Sequence, residues 1–356
     1  MEAAAGGSPQ EGQPLPPSKV IAVGIALAPS YASIGPAAPL LLLLFRLLQG
    51  FALGGELGAS TACLVEAAPL GRRGLYVAIQ YATQDVAVLL SGAVGYFLST
   101  LLSPGQLGDW GWRVAFGLGA SVVPLGLWLR RTLPETHAGA ARVLASPQAQ
   151  RPSVRLIALG MLLLAASGIG NYVLIYITTY AQDSLKLGAQ AGFLATFILG
   201  AAQFAADLSS GLLSDRFGRR PVMLAGLTGL MLLVVPTYAS MNAMRAPWAM
   251  YLGMAVLGVL LPIASGPMIV SLAESLPKNA RAATLATMYA VALTCFGGTT
   301  QFVIQWLIQA TGSALAPAWY MSGATALGLC GALLLAESAP RVGLRSPRPA
   351  VLEGST

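Results

Sequence analysis

A few side chains able to do chemistry stand inside long apolar runs: Arg46, Gln49, Glu56, Asp85 and Asp207. Arg46 lies about eight residues into its run, roughly 12 Å deep at 1.5 Å per residue, with Gln49 and Gly50 on the same helical face. A permanently charged guanidinium at that depth offers a two-pronged site for a carboxylate. The alternative is a buried pair with a carboxylate such as Glu56. Asp85 lies nine residues past Tyr76 and Asp207 eight before Asp215, both about 12–13 Å from an edge. Glu56 is similarly deep if its helix continues to Val65. Desolvation favours the protonated carboxyl and a nearby Arg favours the ionised one. Such groups can therefore take up and release protons as their surroundings change, or simply hydrogen-bond neighbouring helices. Tyr172, Tyr176 and Thr179 share one helical face, and Gln301 and Gln305 repeat that spacing elsewhere. Polar faces in lipid point into a bundle or cavity, although tyrosines also anchor at interfaces.

The elements that hold these groups are membrane spans. Of the 356 residues, 9% are charged and 56% hydrophobic, and the mean hydropathy is +0.70. That excludes a soluble enzyme, a disordered chain and a disulfide scaffold, all of which need more polar surface or more cysteine. Cys63, Cys295 and Cys330 are too far apart for a disulfide framework or a metal site. A span needs about 20 apolar residues. Nine runs qualify, at roughly 38–60, 76–102, 112–130, 154–180, 189–213, 221–240, 247–272, 282–309 and 316–336, with a short tenth at 20–34. Residues 1–18 form a polar tail without a signal peptide's pattern, and 339–356 a second tail. With ten spans both termini share a side. On that side lie 16 of the 20 Lys and Arg residues, whereas the opposite loops hold Lys186 and Arg245. The positive-inside rule makes the richer side cytoplasmic. The net charge of +7 is thus a topology signal and not a nucleic-acid footprint.

Residues 38–82 repeat at 246–290 with a constant offset of 208. Glu66, Pro69 and Arg73 meet Glu274, Pro277 and Arg281, and Ala78 and Tyr81 meet Ala286 and Tyr289. Both loops fall on the same side, so the repeat is parallel, a known transporter architecture. This gives an incomplete N-terminal half at 19–131, a cytoplasmic loop at 132–153 and a six-helix half at 154–338. By offset the second half begins about 54 positions before Met1 in first-half terms. The expectation is an all-α membrane protein of two parallel six-helix halves, the first lacking its first two helices. Glu66 with Arg73, and Glu274 with Arg281, are expected to be ion pairs at equivalent cytoplasmic ends.

Gly211-Leu-Leu-Ser-Asp215-Arg216-Phe-Gly218-Arg219-Arg220-Pro221 resembles the cytoplasmic signature of the major facilitator superfamily. Arg46-Leu-Leu-Gln49-Gly50-Phe-Ala-Leu-Gly54-Gly55-Glu56 resembles its helix-four motif. Trp110-Gly111-Trp112-Arg113, Leu133-Pro134-Glu135-Thr136 and Thr311-Gly312 are similar to features of its metabolite:proton symporters. Gly55-Glu56-Leu57-Gly58, with Gln80-Tyr-Ala-Thr83-Gln84-Asp85-Val86-Ala87, is more like the citrate-type members than the betaine-type. The resemblance implies symport of protons with a small organic anion, citrate- or dicarboxylate-like, or else of proline or betaine. Another alternative is a sensor or fragment that does not transport. It implies a bacterial inner-membrane monomer that is no enzyme and carries no cofactor or metal. It also implies conformational gating by Asp215, Arg216, Gly218, Arg219 and Arg220. Because the first helix of each half lines the family's cavity, Arg46, Gln49, Glu56 and Asp85 are expected to face hydrocarbon here, and the 356 residues alone to insert without proton-coupled uptake. The single histidine, His137, stands in the central loop and has no expected transport role.

Overall fold

No water reaches the bilayer core, so a spanning backbone must satisfy its own hydrogen bonds and coils into helix. The computed structural model describes residues 24–25, 28–29, 31–121 and 152–339, and its described part is helical. The α-helices of seven residues or more are α1 (Ala37–Ala67), α2 (Arg73–Leu101), α3 (Trp112–Ala120), α4 (Val154–Ile175), α5 (Ile177–Asp183), α6 (Ala189–Phe217), α7 (Arg219–Met244), α8 (Pro247–Ser275), α9 (Lys278–Ala292), α10 (Thr300–Thr311) and α11 (Ala316–Leu334). A π-helical turn at Leu293–Gly297 joins α9 to α10. Among the described residues, seven helices are long and apolar enough to cross a membrane, α9 and α10 counting as one. The run expected to span at 316–336 is helical, as α11, but is not one of these seven. The expected span 112–130 is described only as far as α3, and most of 20–34, the central loop and both tails lie outside the described residues.

The repeat is visible in the helix boundaries. Adding 208 to the ends of α1 gives 245–275, against Pro247–Ser275 for α8. Alternation of chain direction collects Arg72, Arg73, Arg216, Arg219, Arg220, Lys278 and Arg281 at one end of the bundle, the basic end, and Lys186 and Arg245 at the other.

Two antiparallel contacts join the halves. Along α2 and α6, Ala78 meets Gly211, Leu89 meets Gly200, and Gly92 meets Phe197. Along α1 and α9, a Cβ added at Gly54 or Gly58 would run into the backbones of Ala290 and Ala286. Small residues that let two backbones touch are the means by which lipid-embedded helices associate, since apolar burial distinguishes poorly between lipid and protein. Gly58→Val is therefore expected to overpack this contact and cost about 1–3 kcal/mol. A fall in the melting temperature of the purified chain in detergent would register it, and an unchanged value would show that α1 and α9 can separate freely.

Within the second half, α6, α7, α8, α4 and α11 enclose the core, with Met223, Leu230, Met250, Met254 and Leu257 fully buried. The most apolar stretch of α8 is 61% buried, against 17% for α1 and for α2. The first half thus leaves most of its helical surface uncovered among the described residues. One expectation is corrected by this packing. Asp85 does not face hydrocarbon; it is buried in the α2–α6 contact. Arg46 and Glu56 are exposed on α1 and Gln49 is half-buried there.

Candidate translocation site and gate

At the basic end, Asp215 closes the last turn of α6 and its two carboxylate oxygens accept the backbone N–H groups of Gly74 and Leu75, each at 2.9 Å. These are free donors of the first turn of α2, where the helix dipole favours an anion. Arg219 opens α7 and is 1% exposed. It donates to Asp215 at 2.6 Å and to Ser214 at 3.1 Å, and pairs with Glu274 at 3.4 Å. Ser338 also donates to Glu274 at 2.8 Å.

The expected pairing of Glu66 with Arg73 and of Glu274 with Arg281 is not what forms. Arg281 pairs with Glu66 at 3.1 Å and Arg73 with Glu274 at 3.5 Å, so each half's acid takes the other half's base. The physical reason is the pseudo-two-fold relation between the halves. Such an axis brings the end of α1 to the start of α9, and the end of α8 to the start of α2. The same axis explains why Tyr81 and Tyr289, equivalent by the offset of 208, share a hydroxyl–hydroxyl hydrogen bond of 3.1 Å.

Gly218 links α6 to α7 with φ of +101°, and a Cβ there would press on Glu337 at 3.1 Å. Both reasons require glycine. Glu337, missed at the sequence level, accepts the N–H groups of Arg219, Arg220 and Ala339, each at 2.9 Å. Its detectable signal is an acid just past the last span, as Glu135 is past an earlier one. Burial pushes the Glu337 carboxyl up, but the N–H groups of Ala339, Arg220, Arg219 and Ser338 together outweigh it and hold the carboxyl below its ordinary 4.5. A depressed folded value stabilises above the unfolded value, and that stability is lost as pH falls through the folded one. Glu337→Gln is accordingly expected to lower stability by about 1 kcal/mol at pH 7, the scale of a lost helix cap. In thermal melts the difference should shrink as pH falls below the ordinary 4.5 and vanish once it is below the depressed folded value. Arg216, also expected in the gate, is exposed and lies over the Phe217 ring at 5.3 Å, outside the ion-pair network. Arg220 donates to the Leu333 carbonyl at 2.6 Å and ties α7 to α11.

Deeper in the bundle, polar groups line up along the boundary between the halves. Arg46 donates to Gln49 at 3.2 Å and lies within electrostatic reach of the Tyr172 hydroxyl of α4. Tyr172 packs against Gly297 and is within reach of Tyr289, which bonds Tyr81. Asp207 is within reach of both Tyr81 and Tyr289, and its carboxyl is placed to hydrogen-bond that of Asp85. With α2 beginning at Arg73, Asp85 is twelve residues in, about 18 Å along the axis, deeper than the sequence implies.

Other expected residues lie elsewhere. Gln80 bonds Ser60 and Thr61, tying α2 to α1. Gln84, Thr179 and Gln301 are exposed. Tyr176 donates to Gln305 at 2.6 Å, joining α4 to α10. The Asn171–Gln203 bond of 3.2 Å was not anticipated, although Gln203 stands one turn before Asp207 on the same face. Among the described residues no group of His, Cys, Asp and Glu could hold a metal ion.

Residues 17–298 match the family model of the Major Facilitator Superfamily. The chain belongs to that superfamily. It is 36% identical over 312 residues to a citrate-proton symporter of Klebsiella pneumoniae, covering 86% of this chain and 70% of the relative. It is 34% identical to an alpha-ketoglutarate permease of Escherichia coli, covering 84% and 70%. These relatives place it with the metabolite:proton symporters of the superfamily. Among solved folds, the crystal structure of a D-xylose-proton symporter superposes with a TM-score of 0.68 over 92% of this chain and 80% of that one, at 21% identity. That likeness speaks for the fold alone. The major facilitator chain is a multi-pass membrane transporter, and two of its ion pairs, Arg73–Glu274 and Arg281–Glu66, together with its polar line fall where two such halves meet.

Proposed function

We propose that this major facilitator chain carries a small organic acid of the citrate or dicarboxylate class across a bacterial inner membrane together with protons. It does so by rocking its two halves about the α2–α6 and α1–α9 contacts. The observation that carries the reading is Arg46: a fixed cation inside a span, at the boundary between the halves and facing Tyr172. A group that costs insertion energy is kept for a ligand of opposite charge, and a guanidinium matches a carboxylate with two parallel hydrogen bonds; betaine and proline carry one carboxylate as well, so the choice of a di- or tricarboxylate leans on the relatives. The names of the relatives, citrate-proton symporter and alpha-ketoglutarate permease, agree with an anionic cargo. With the halves joined at the basic end by two ion pairs, Arg73–Glu274 and Arg281–Glu66, and by the bonds of Asp215 to Gly74 and Leu75, the state described is closed at that end.

The test is uptake into proteoliposomes under an inward proton gradient. Labelled citrate, succinate or 2-oxoglutarate is expected to accumulate, in place of the absence of uptake expected from the sequence, because Asp85 is buried against α6 and not set in lipid; collapse of the gradient is expected to abolish it. Accumulation of betaine or proline, but of none of the acids, would overturn the cargo assignment.

From the lysine and arginine asymmetry we infer that the basic end and both termini are cytoplasmic. Single cysteines at Gly139→Cys and Gly343→Cys, in a background freed of the three native thiols, are expected to resist an impermeant thiol reagent in intact cells. Ser184→Cys, just past α5, is expected to react. Labelling of Gly139→Cys from outside would reverse the orientation.

A further inference from the structure

Asp85 and Asp207 face each other from opposite halves of the molecule, in the middle of the tightest contact between them. Asp85 is 9% exposed and Asp207 4%. The two carboxyl groups lie within hydrogen-bonding reach of each other, and the Oδ2 atom of Asp85 is buried without a hydrogen-bond partner. None of the four ion pairs among the described residues includes either group. The groups that face the pair are few. Tyr81 on α2 and Tyr289 on α9 lie within electrostatic reach of Asp207. From α8, Gly266 approaches so closely that a Cβ added there would stand 3.7 Å from the Oδ1 atom of Asp207. On α6 itself Gln203 turns to Asn171, and Ser210 donates to the Pro262 carbonyl. The charged cluster of Asp215 and Arg219 begins two turns along α6, about 12 Å away. From α1 the contact to α2 is made through Ser60 and Thr61, neutral groups a turn nearer the basic end.

Two carboxylates cannot both stay ionised side by side without a cation. A hydrogen bond between them needs a donor, and the only donor two carboxyl groups can supply is a bound proton. We propose that Asp85 and Asp207 form a single proton-binding site shared between the halves, and that this site carries the coupled proton of transport. This deepens the symport reading and rests on it for the second claim only. The pair alternates between one proton (net charge −1) and two (net charge 0). On loading, a proton from water on the open side bonds to a carboxylate oxygen; on release that O–H bond breaks and the proton returns to water on the other side, with no change of redox state. Because one carboxyl belongs to α2 and the other to α6, the hydrogen bond reports on how the halves sit, so that protonation and rocking are linked. Tyr289 and Tyr172 run from this pair to Arg46, which joins proton load to anion load.

Infrared difference spectroscopy on the purified full chain tests the site without any assumption about cargo. Wild type is expected to show the carbonyl stretch of a protonated carboxyl at neutral pH, shifted by deuteration. Asp85→Asn and Asp207→Asn should each remove or displace it, since each destroys the shared bond. A wild-type spectrum with no protonated-carboxyl band, or a band untouched by both substitutions, would overturn the shared site, and the wild-type measurement serves even if a variant does not fold. Transport then tests the coupling role. In proteoliposomes, Asp207→Asn is expected to lose accumulation driven by the proton gradient while keeping exchange of labelled for unlabelled substrate. Wild-type accumulation in both Asn variants would overturn coupling at this pair. If the wild-type chain moves none of the acids while the band is present and sensitive to both substitutions, the symport reading fails and the shared proton site stands.

Discussion

Replacing Arg219 by alanine is expected to be the most disruptive single change at the basic end, costing about 3–5 kcal/mol, the scale for removing one partner of a buried ion network. Arg219 is 1% exposed and neutralises two carboxylates, Asp215 and Glu274, whose side chains are 10% and 4% exposed. Without it Asp215 keeps the N–H groups of Gly74 and Leu75, but Glu274 keeps only Arg73 at 3.5 Å and the Ser338 hydroxyl. Two anions are then left under-compensated where water has little access. The expected results are a lower melting temperature and a basic end that opens more often, seen as faster reaction of a thiol introduced at Leu75. Arg216→Ala is the control within the same loop. Its guanidinium is exposed beside Phe217, so its change should stay within about 0.5 kcal/mol, as for ordinary surface positions. Equal effects of the two substitutions would dismiss the network. The exchanged pairs add a sharper check. Glu66→Arg with Arg281→Glu should recover much of what either change alone loses, whereas Glu66→Arg with Arg73→Glu should not.

The second large effect is expected at Arg46. Arg46→Lys keeps the charge but loses the flat fork that grips a carboxylate with two parallel bonds. A hydrogen bond to a charged group contributes about 1.5–3 kcal/mol, so uptake of the acid at low concentration should fall roughly 10- to 100-fold at unchanged membrane abundance. Arg46→Ala should fall at least as far. Wild-type uptake by Arg46→Ala would remove this residue from the cargo site and leave the Gln49 contact as its whole role.

The linear order of residues was enough to place the seven described spans, the alternation of their direction, the basic end and the repeat. The reason is that a bilayer imposes its own rules. Each run of about 20 apolar residues must become a helix, and a constant offset of 208 between Glu66–Tyr81 and Glu274–Tyr289 needs no coordinates to be seen. The short list of ionisable groups inside spans was legible for the same reason, since each is costly there. Partnership was not legible. An offset says which residues are equivalent but not where the axis relating them passes. Only the packed halves show that equivalent tyrosines touch, and that Glu66 takes Arg281 instead of Arg73. Asp85 and Asp207 stand in different halves, 122 positions apart, and are not related by the repeat. They meet because Leu89, Gly92, Gly200 and Gly211 set the register of α2 against α6. Van der Waals fit between small residues decides that register, and a sequence pattern carries no record of which helix will supply the opposing surface.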